Sequence, residues 1–298
     1  MSVNWKNLWA EGEAMDFKQI EIDGLVPFAK GATGECFRVG EDQILKLYYD
    51  GFPKERALLE KRNARTAFVA GIPTPISFDA VTVNGRYGII YEMISARTLS
   101  EQLQESPERS EEIGQELAHL ALSIHNATVK EKDFPRSSEK IAKSLPHATY
   151  LDEKTRENVE NYMQKLDEAQ TYTHGDFHTN NIMQTRDGIM LIDMGSFSVG
   201  SPLFDLGVLH FSFFESPESV TGEVSSFNGL DRKTREAVWD SFEKEYFNGF
   251  TKEEKERQLK ELNKVILLIK LRFEALYSKH ASEEYCKKVR DEVLKVFS

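Results

Sequence analysis

The run His174-Gly175-Asp176-Phe177-His178-Thr179-Asn180-Asn181 holds a lone carboxylate, Asp176, with a carboxamide, Asn181, five residues on. Both fall in a polar loop between Tyr172-Thr173 and the apolar pair Ile182-Met183. Shortly afterwards the apolar triplet Met190-Leu191-Ile192 ends in Asp193, with Gly195 close behind. That pattern reads as a short hairpin strand delivering Asp193 at its exit. A carboxylate poised near a hydroxyl, with Asn and Asp oxygens gathered on hard cations, is what phosphoryl transfer from Mg-ATP requires.

Such groups need elements to hold a nucleotide over them. Residues 17 to 48 read as strands joined by turns. The small-residue turn Gly31-Ala32-Thr33-Gly34 lets backbone N–H groups approach a polyphosphate, although Gly-x-x-Gly in a hairpin also serves as a plain turn. It matches neither the Walker pattern nor the dinucleotide fingerprint. Lys46 follows, flanked by Leu45 and Leu47, so on a strand its side chain points opposite to theirs. It is either a solvated lysine on an outer face or a lysine under the glycine turn that reaches the phosphates. The spacing predicts a helix over 53–70, ended by Gly71. An inward Glu there could pair with Lys46. Glu60, in mid-helix, is preferred to Glu55, which sits where the helix dipole favours an acid anyway. The rigid Ile72-Pro73-Thr74-Pro75 leads to strands over 76–83 and 87–94, joined by the hairpin signal Asn84-Gly85.

Beyond residue 94 the pattern turns helical, over 101–103, 111–127 and 154–169 and again from 231 to 297. The second of these carries the core stripe Ile113, Leu117, Leu120, Ala121 and Ile124. His125 at its end reads as a core or capping histidine rather than a catalyst. The segment 215–228 reads as a loop, and the Lys/Glu run at 252–264 as a solvated helix face. Trp5 and Trp9 would share one face of a short helix, packing an N-terminal arm, residues 1–20, onto the body or, if exposed, forming a docking site.

Composition sets outer bounds. The chain has 298 residues, enough for two lobes, and its 40% hydrophobic and 29% charged content is that of a soluble globular protein. A net charge of -11 argues against a nucleic-acid polymer as partner and is compatible with cationic or neutral ligands. Cys36 and Cys286 fit no metal pattern and read as free thiols in a reducing compartment. The N-terminus has no apolar h-region, and the stretch from Val265 to Leu271, interrupted by Lys270, is too short to span a bilayer. These features imply a cytoplasmic protein with no membrane partner; the oligomeric state is not legible.

The ordered set is a glycine turn, a strand Lys, a helix Glu, a connecting strand, His-x-Asp with Asn five on, and Ile-Asp-x-Gly. It resembles the aminoglycoside phosphotransferase and choline kinase branch of the protein-kinase-like fold over roughly residues 22–290. The match is most specific at His174 to His178 with Asn181, and at Ile192-Asp193; Gly200 to Leu206, with Asp205 before an apolar helix, also looks like that branch. The resemblance implies an α+β, bilobal fold: a small antiparallel sheet with one helix (residues 1–94, nucleotide-binding) and a larger, mainly helical lobe (95–298, catalytic and acceptor-binding). It implies that Asp176 is the catalytic base and that Asn181 and Asp193 bind Mg2+ on the phosphates of ATP. Lys46 would contact the α- and β-phosphates while paired with Glu60, and Gly31, Ala32, Thr33 and Gly34 would cover the triphosphate. Glu92, Met93 and Ile94 would form the hinge to adenine, with Met183 and Ile192 as its apolar floor. His178 fits the branch as a residue that binds the loop backbone.

A protein kinase carries Arg after the catalytic-loop His, to dock a phosphorylated activation loop; here that position is Gly175. Ser216-Pro217-Glu218 lies about where an Ala-Pro-Glu motif would fall, but the apolar run after Asp205 suggests a helix where an activation loop should be extended. The expected acceptor is therefore a small hydroxylated molecule: an aminoglycoside, a sugar or an amino-alcohol. Acids between Glu215 and Glu223, with Glu243, Glu245 and Glu274, either line a cationic pocket or are solvated surface. A nucleotide-binding pseudokinase is the non-enzymatic alternative, disfavoured by the presence of Lys46, Asp176, Asn181 and Asp193 together.

Overall fold

Six strands build the first lobe: β1 (Lys18–Gln19), β2 (Ala29–Lys30), β3 (Gly34–Arg38), β4 (Gln43–Tyr48), β5 (Ser77–Val83) and β6 (Arg86–Glu92). The computed structural model describes residues 17–130, 134–217, 224, 225 and 227–298, so the Trp5–Trp9 arm lies outside the described residues. The strand order is β1-β5-β6-β4-β3-β2. Every neighbouring pair is antiparallel except the two-residue edge strand β1, which runs parallel to β5. The hairpin between β5 and β6 turns through Asn84 and Gly85, both at positive φ (50° and 82°), as a right-twisted two-residue turn demands.

Side-chain alternation gives this sheet two buried faces. Phe37, Leu45, Leu47, Val81 and Val83 cluster on one. Tyr48 and Ile89 pack on the other against Ala57 of the helix α1 (Lys54–Val69). Pro53 caps that helix at φ -65°, the value its ring fixes in advance. Further along α1, Ala64 and Ala67 join the core of the second lobe, so a single helix is packed into both. Buried Asn63, between them, donates from Nδ2 to the carbonyls of Met194 (3.0 Å) and Phe197 (3.2 Å).

The second lobe contains β7 (Arg97–Thr98), α2 (Leu99–Glu105), α3 (Ser110–His125), α4 (Glu139–Ala142), α5 (Glu153–Asp167), β8 (Thr171–Thr173), β9 (Ile182–Thr185), β10 (Gly188–Leu191), β11 (Ser198–Gly200), α6 (Leu203–His210), α7 (Arg232–Tyr246), α8 (Lys252–Tyr277) and α9 (Glu283–Phe297). Capping boxes open α2 (Thr98 with Glu101) and α8 (Thr251 with Glu254), each satisfying two end N–H groups. The stripe Ile113, Leu117, Leu120, Ala121 and Ile124 is buried on α3 as its spacing predicts. Along α8 the polar first half is mostly exposed, while residues 265–271 are buried, Lys270 included. Lys270 is ion-paired with Glu215 (3.1 Å) and Glu292 (2.5 Å). Among the described residues no helix is long and apolar enough to cross a membrane.

Two small sheets frame the loop 174–181. β9 pairs with β10 and β7, and β8 pairs with β11. The loop thus leaves one sheet and enters the other, and both ends are fixed.

Candidate active site

The β9–β10 hairpin sets the spacing of the site. Ile182 faces Leu191 across it, and the N–H of Ile192 donates to the carbonyl of Asn181 (2.9 Å). Asn181 and Asp193 therefore leave adjacent strand ends. Asp193 adopts φ 62°, ψ 67°, a left-handed conformation that costs a non-glycine residue energy and is typical of functional turns. Half-exposed, it lies 3.2 Å from Lys46 Nζ through Oδ1.

Lys46 itself sits on β4 with only 15% of its side chain exposed, and its Nζ is 2.7 Å from Glu60 Oε1. Glu60, rather than Glu55, makes this pair, and the hydroxyl of Tyr91 donates to the same oxygen (3.2 Å). Burial alone would lower the Lys46 pKa. The carboxylates of Glu60 and Asp193 outweigh it and hold the ammonium well above its ordinary value, so the lysine stays charged.

Asp176 and Asn181 are in direct contact. Asn181 Nδ2 donates to Asp176 Oδ2 (3.0 Å) and to the Asp176 carbonyl (3.1 Å). The bonded Nδ2 leaves Asn181 Oδ1 as an available acceptor. His178 is turned onto this pair instead of the loop backbone: its Nε2 lies 3.1 Å from Asn181 Nδ2 and 3.6 Å from Asp176 Oδ1, with Phe227 against its ring. Burial would raise the Asp176 pKa, but the hydrogen bond and charge of His178, with Lys140 and His174, hold it well below the usual carboxylate range.

Two residues that sequence reasoning did not assign to the site hold this loop. Asp205, on α6 and wholly buried, accepts from the N–H groups of His174 (2.8 Å) and Gly175 (2.7 Å) and from His125 Nε2 (3.2 Å). His125 in turn contacts the Tyr246 hydroxyl through Nδ1 (2.8 Å), a satisfied core histidine. The sequence marked Asp205 through the resemblance of Gly200 to Leu206, as an acid before an apolar helix, but gave it no role. Lys140 on α4 donates to the Gly175 carbonyl (3.3 Å) and to Ser196 Oγ, and nothing in its polar sequence context marks it. Gly175 has φ 73°, and a Cβ there would stand 2.5 Å from the Ser196 carbonyl, so the chain geometry rejects an arginine at this position.

The remaining predicted residues divide. Gly31 and Gly34 close the turn between β2 and β3 through a Gly31 N–H to Gly34 carbonyl bond (2.9 Å), with Ala32 exposed and Thr33 half-buried between them. Gly34 is demanded by sheet packing: a Cβ would lie 2.4 Å from the Leu47 carbonyl. Of the hinge residues, Glu92 donates its N–H to the Ile76 carbonyl (2.9 Å) and Met93 to Asp42 (2.9 Å). Their donors are taken by the sheet lobe, which leaves the Ile94 N–H as the one of the three with no partner among the described residues. Met183, opposite Met190 and Thr98, and Ile192 are half-buried on the hairpin. Ser216 and Pro217 follow a single helical run, α6 continuing into a π-turn over Phe211–Glu215; Glu218 and Glu223 lie outside the described residues.

Among the described residues no cluster of three or more His, Cys, Asp and Glu side chains could hold a metal by itself. The amide oxygen of Asn181 and the carboxylate of Asp193 are hard donors of the kind Mg2+ takes, and one or two such ligands suffice when phosphate oxygens supply the rest. The residues present fit that ion.

A buried Lys–Glu pair, a left-handed Asp at a hairpin exit and an Asp–Asn loop between two lobes define a kinase-like phosphotransferase fold. The profile of the phosphotransferase enzyme family matches residues 24–243, and the chain belongs to that family. Solved structures with this fold include choline kinase from Cryptosporidium parvum Iowa II, at 14% identity and TM-score 0.55 over 91% of this chain and 88% of that one. A choline/ethanolamine kinase family protein from Mesorhizobium loti matches at 15% identity and TM-score 0.55, covering 91% and 87%. The ADP-bound aminoglycoside phosphotransferase APH(2'')-Ib matches at 15% and 0.55, covering 92% of each chain. At these identities the likeness is one of fold. A search of curated proteins by sequence returns no match.

Proposed function

We propose that this phosphotransferase is a small-molecule kinase that moves the γ-phosphate of ATP to an alcohol group in the cytoplasm, with Mg2+ bound. The contact of Asp176 with Asn181, joined through the hairpin to Asp193 and Lys46, carries the reading. Asp176 takes the proton of the acceptor hydroxyl as the oxygen attacks phosphorus. Lys46, fixed by Glu60, neutralises the α- and β-phosphates. Mg2+ held by Asn181 and Asp193 would neutralise charge on the transferred phosphoryl group. Residues 31–34 cover the triphosphate, Ile94 donates to the adenine edge, and Met183 and Ile192 lie beneath the base. The division into a nucleotide-binding lobe up to residue 94 and an acceptor-binding lobe beyond it follows the same assignment.

The acceptor is a hydroxylated small molecule of aminoglycoside, sugar or amino-alcohol type. Choline and aminoglycoside kinases among proteins of like fold support this class, as does the helix that occupies the activation-loop position. ADP release across a panel of such acceptors tests it. Turnover with at least one of them is expected. Labelling of peptides alone, or thermal stabilisation by ATP with no ADP release from any acceptor, would replace it with the protein-kinase or pseudokinase reading.

A further inference from the structure

Lys140 links the two halves of the site within the helical lobe, bonded to the carbonyl just before Asp176 and to Ser196, three residues past Asp193. The charges acting on it are Asp176 and Asp193 on one side and Arg272 and Arg56 on the other. Arg272 belongs to α8, which packs on α4, and Arg56 to the first turns of α1. Both carboxylates already have partners, Asp176 in Asn181 and His178, Asp193 in Lys46. Arg56 is exposed, whereas Lys140 and Arg272 are half-buried, and among the described residues neither of these two has a carboxylate within ion-pair distance. Arg272 Nε is buried with no hydrogen-bond partner, and burial pushes the Lys140 ammonium down. Desolvated cations without a counter-ion are costly, and Arg and Lys together are the usual receptors for carboxylate and phosphate.

Among the described residues, four of the acids that could receive a cationic acceptor are engaged elsewhere. Glu243 holds Lys255 (3.1 Å), Glu245 holds His119 (2.8 Å) and Glu274, buried, holds Arg290 (2.6 Å). Glu215 is bound to Lys270. The protein is acidic as a whole, yet Lys140 reaches the loop that carries Asp176.

We propose that Lys140 and Arg272 bind an anionic group, a carboxylate or phosphate monoester, on the acceptor whose hydroxyl meets Asp176. The proposal rests on the kinase reading above and narrows it: acceptors of the sugar-acid or sugar-phosphate kind are taken, aminoglycosides and choline are not.

The test is ADP release with matched acceptors: D-glycerate against glycerol, D-gluconate against D-glucose, D-glucose 6-phosphate against D-glucosamine, with kanamycin and choline as cationic probes. The anionic member of a pair is expected to exceed its partner at least tenfold in kcat/KM. Arg272→Gln should raise acceptor KM tenfold or more and erase that preference, with the KM for ATP little changed and partial recovery in Arg272→Lys; Lys140→Met, which also releases the Gly175 carbonyl and Ser196, should erase the preference whatever its effect on the KM for ATP. Preference for neutral or cationic acceptors, or variants that shift the KM for ATP alone because these cations serve the nucleotide, overturns the proposal and leaves the kinase reading standing. Calorimetry with D-3-phosphoglycerate supplies a readout without turnover. Binding weakened at least tenfold in the Lys140→Met/Arg272→Gln double variant supports the anion site even if no acceptor is phosphorylated, an outcome that would instead count against the kinase reading. Absence of binding, or equal binding by both proteins, overturns it.

Discussion

Asp176 is kept ionised by its neighbours. His178, Lys140 and His174 hold its pKa below the usual carboxylate range, against the effect of burial. A depressed pKa means the base form persists at every pH above the ordinary carboxylate value of about 3.9. Any loss of activity between pH 7 and pH 5 must therefore come from another group. Replacement Asp176→Asn keeps size and hydrogen-bonding but cannot take a proton, and should lower kcat by ~10²–10⁴. Nucleotide affinity, measured by calorimetry, should be nearly unchanged; undiminished turnover would refute the base assignment. Asp193 makes the opposite case. It contacts Lys46 and would hold the cation, so Asp193→Ala should abolish Mg2+-dependent ATP binding, and wild-type affinity in the presence of Mg2+ would rule out the metal role. The spacing of both acids put them near one another, as the hairpin between them does in the structure. Their support was not legible, because Lys140 and Asp205 reach the loop from elements at least 30 residues away in sequence.

At the scale of elements, α1 carries the coupling between lobes. Asn63 bonds two carbonyls of the turn after Asp193, and Glu60, one turn earlier on the same helix, fixes Lys46. One helix thus sets both Lys46 and the turn that follows Asp193. Asn63→Ala leaves two buried carbonyls without this donor, at a cost of about 1–3 kcal/mol. It should lower Tm and, since the 194–197 turn loosens, raise the KM for ATP; a drop in Tm with unchanged KM would confine Asn63 to stability. Local signals located most elements: Asn84-Gly85 gave the hairpin, Pro53 and Gly71 bracketed α1, and the α3 stripe came from its period. The parallel pairing of β1 with β5 was not legible, since it joins residues some 60 apart through a two-residue strand with no pattern of its own. The hinge shows the same limit. Which of Glu92, Met93 and Ile94 keeps a free donor depends on Asp42 and Ile76, which the local sequence does not reveal.

For the molecule as a whole, the net charge of -11 does not by itself describe the site, where Lys46 and Lys140 lie among the carboxylates of Glu60, Asp193 and Asp176. The stability of the folded chain should depend on pH through different groups. His174 is buried in the loop 174–181, its Nε2 donating to the Ile192 carbonyl (3.1 Å) and its Nδ1 without a partner among the described residues. His210 lies against Phe214 and Trp239, its Nδ1 likewise unpartnered. Burial pushes both pKa values down. In the unfolded chain each titrates near 6.5, so below that pH the unfolded state binds more protons than the folded one. Their contribution to stability is complete above about pH 6.5 and is lost as pH falls toward the folded values, by up to about 1.4 kcal/mol per pH unit for each histidine. Asp176 does not confound this window, because a depressed carboxylate contributes above its unfolded pKa and is lost only at more acidic pH. Nor does Lys46, whose raised pKa adds stability that is intact at every pH below its unfolded value near 10.4 and is lost only in strong base. Thermal melts should therefore show Tm falling from pH 7.5 to pH 5.5, and His210→Gln, which cannot take up a proton, should flatten part of that slope. Burial holds the carboxyls of Asp167 and Glu116 above the usual range, and these act in the opposite sense as pH falls, so the deciding comparison is between the two proteins: a His210→Gln slope equal to that of the wild type would show that His210 is not held neutral in the fold.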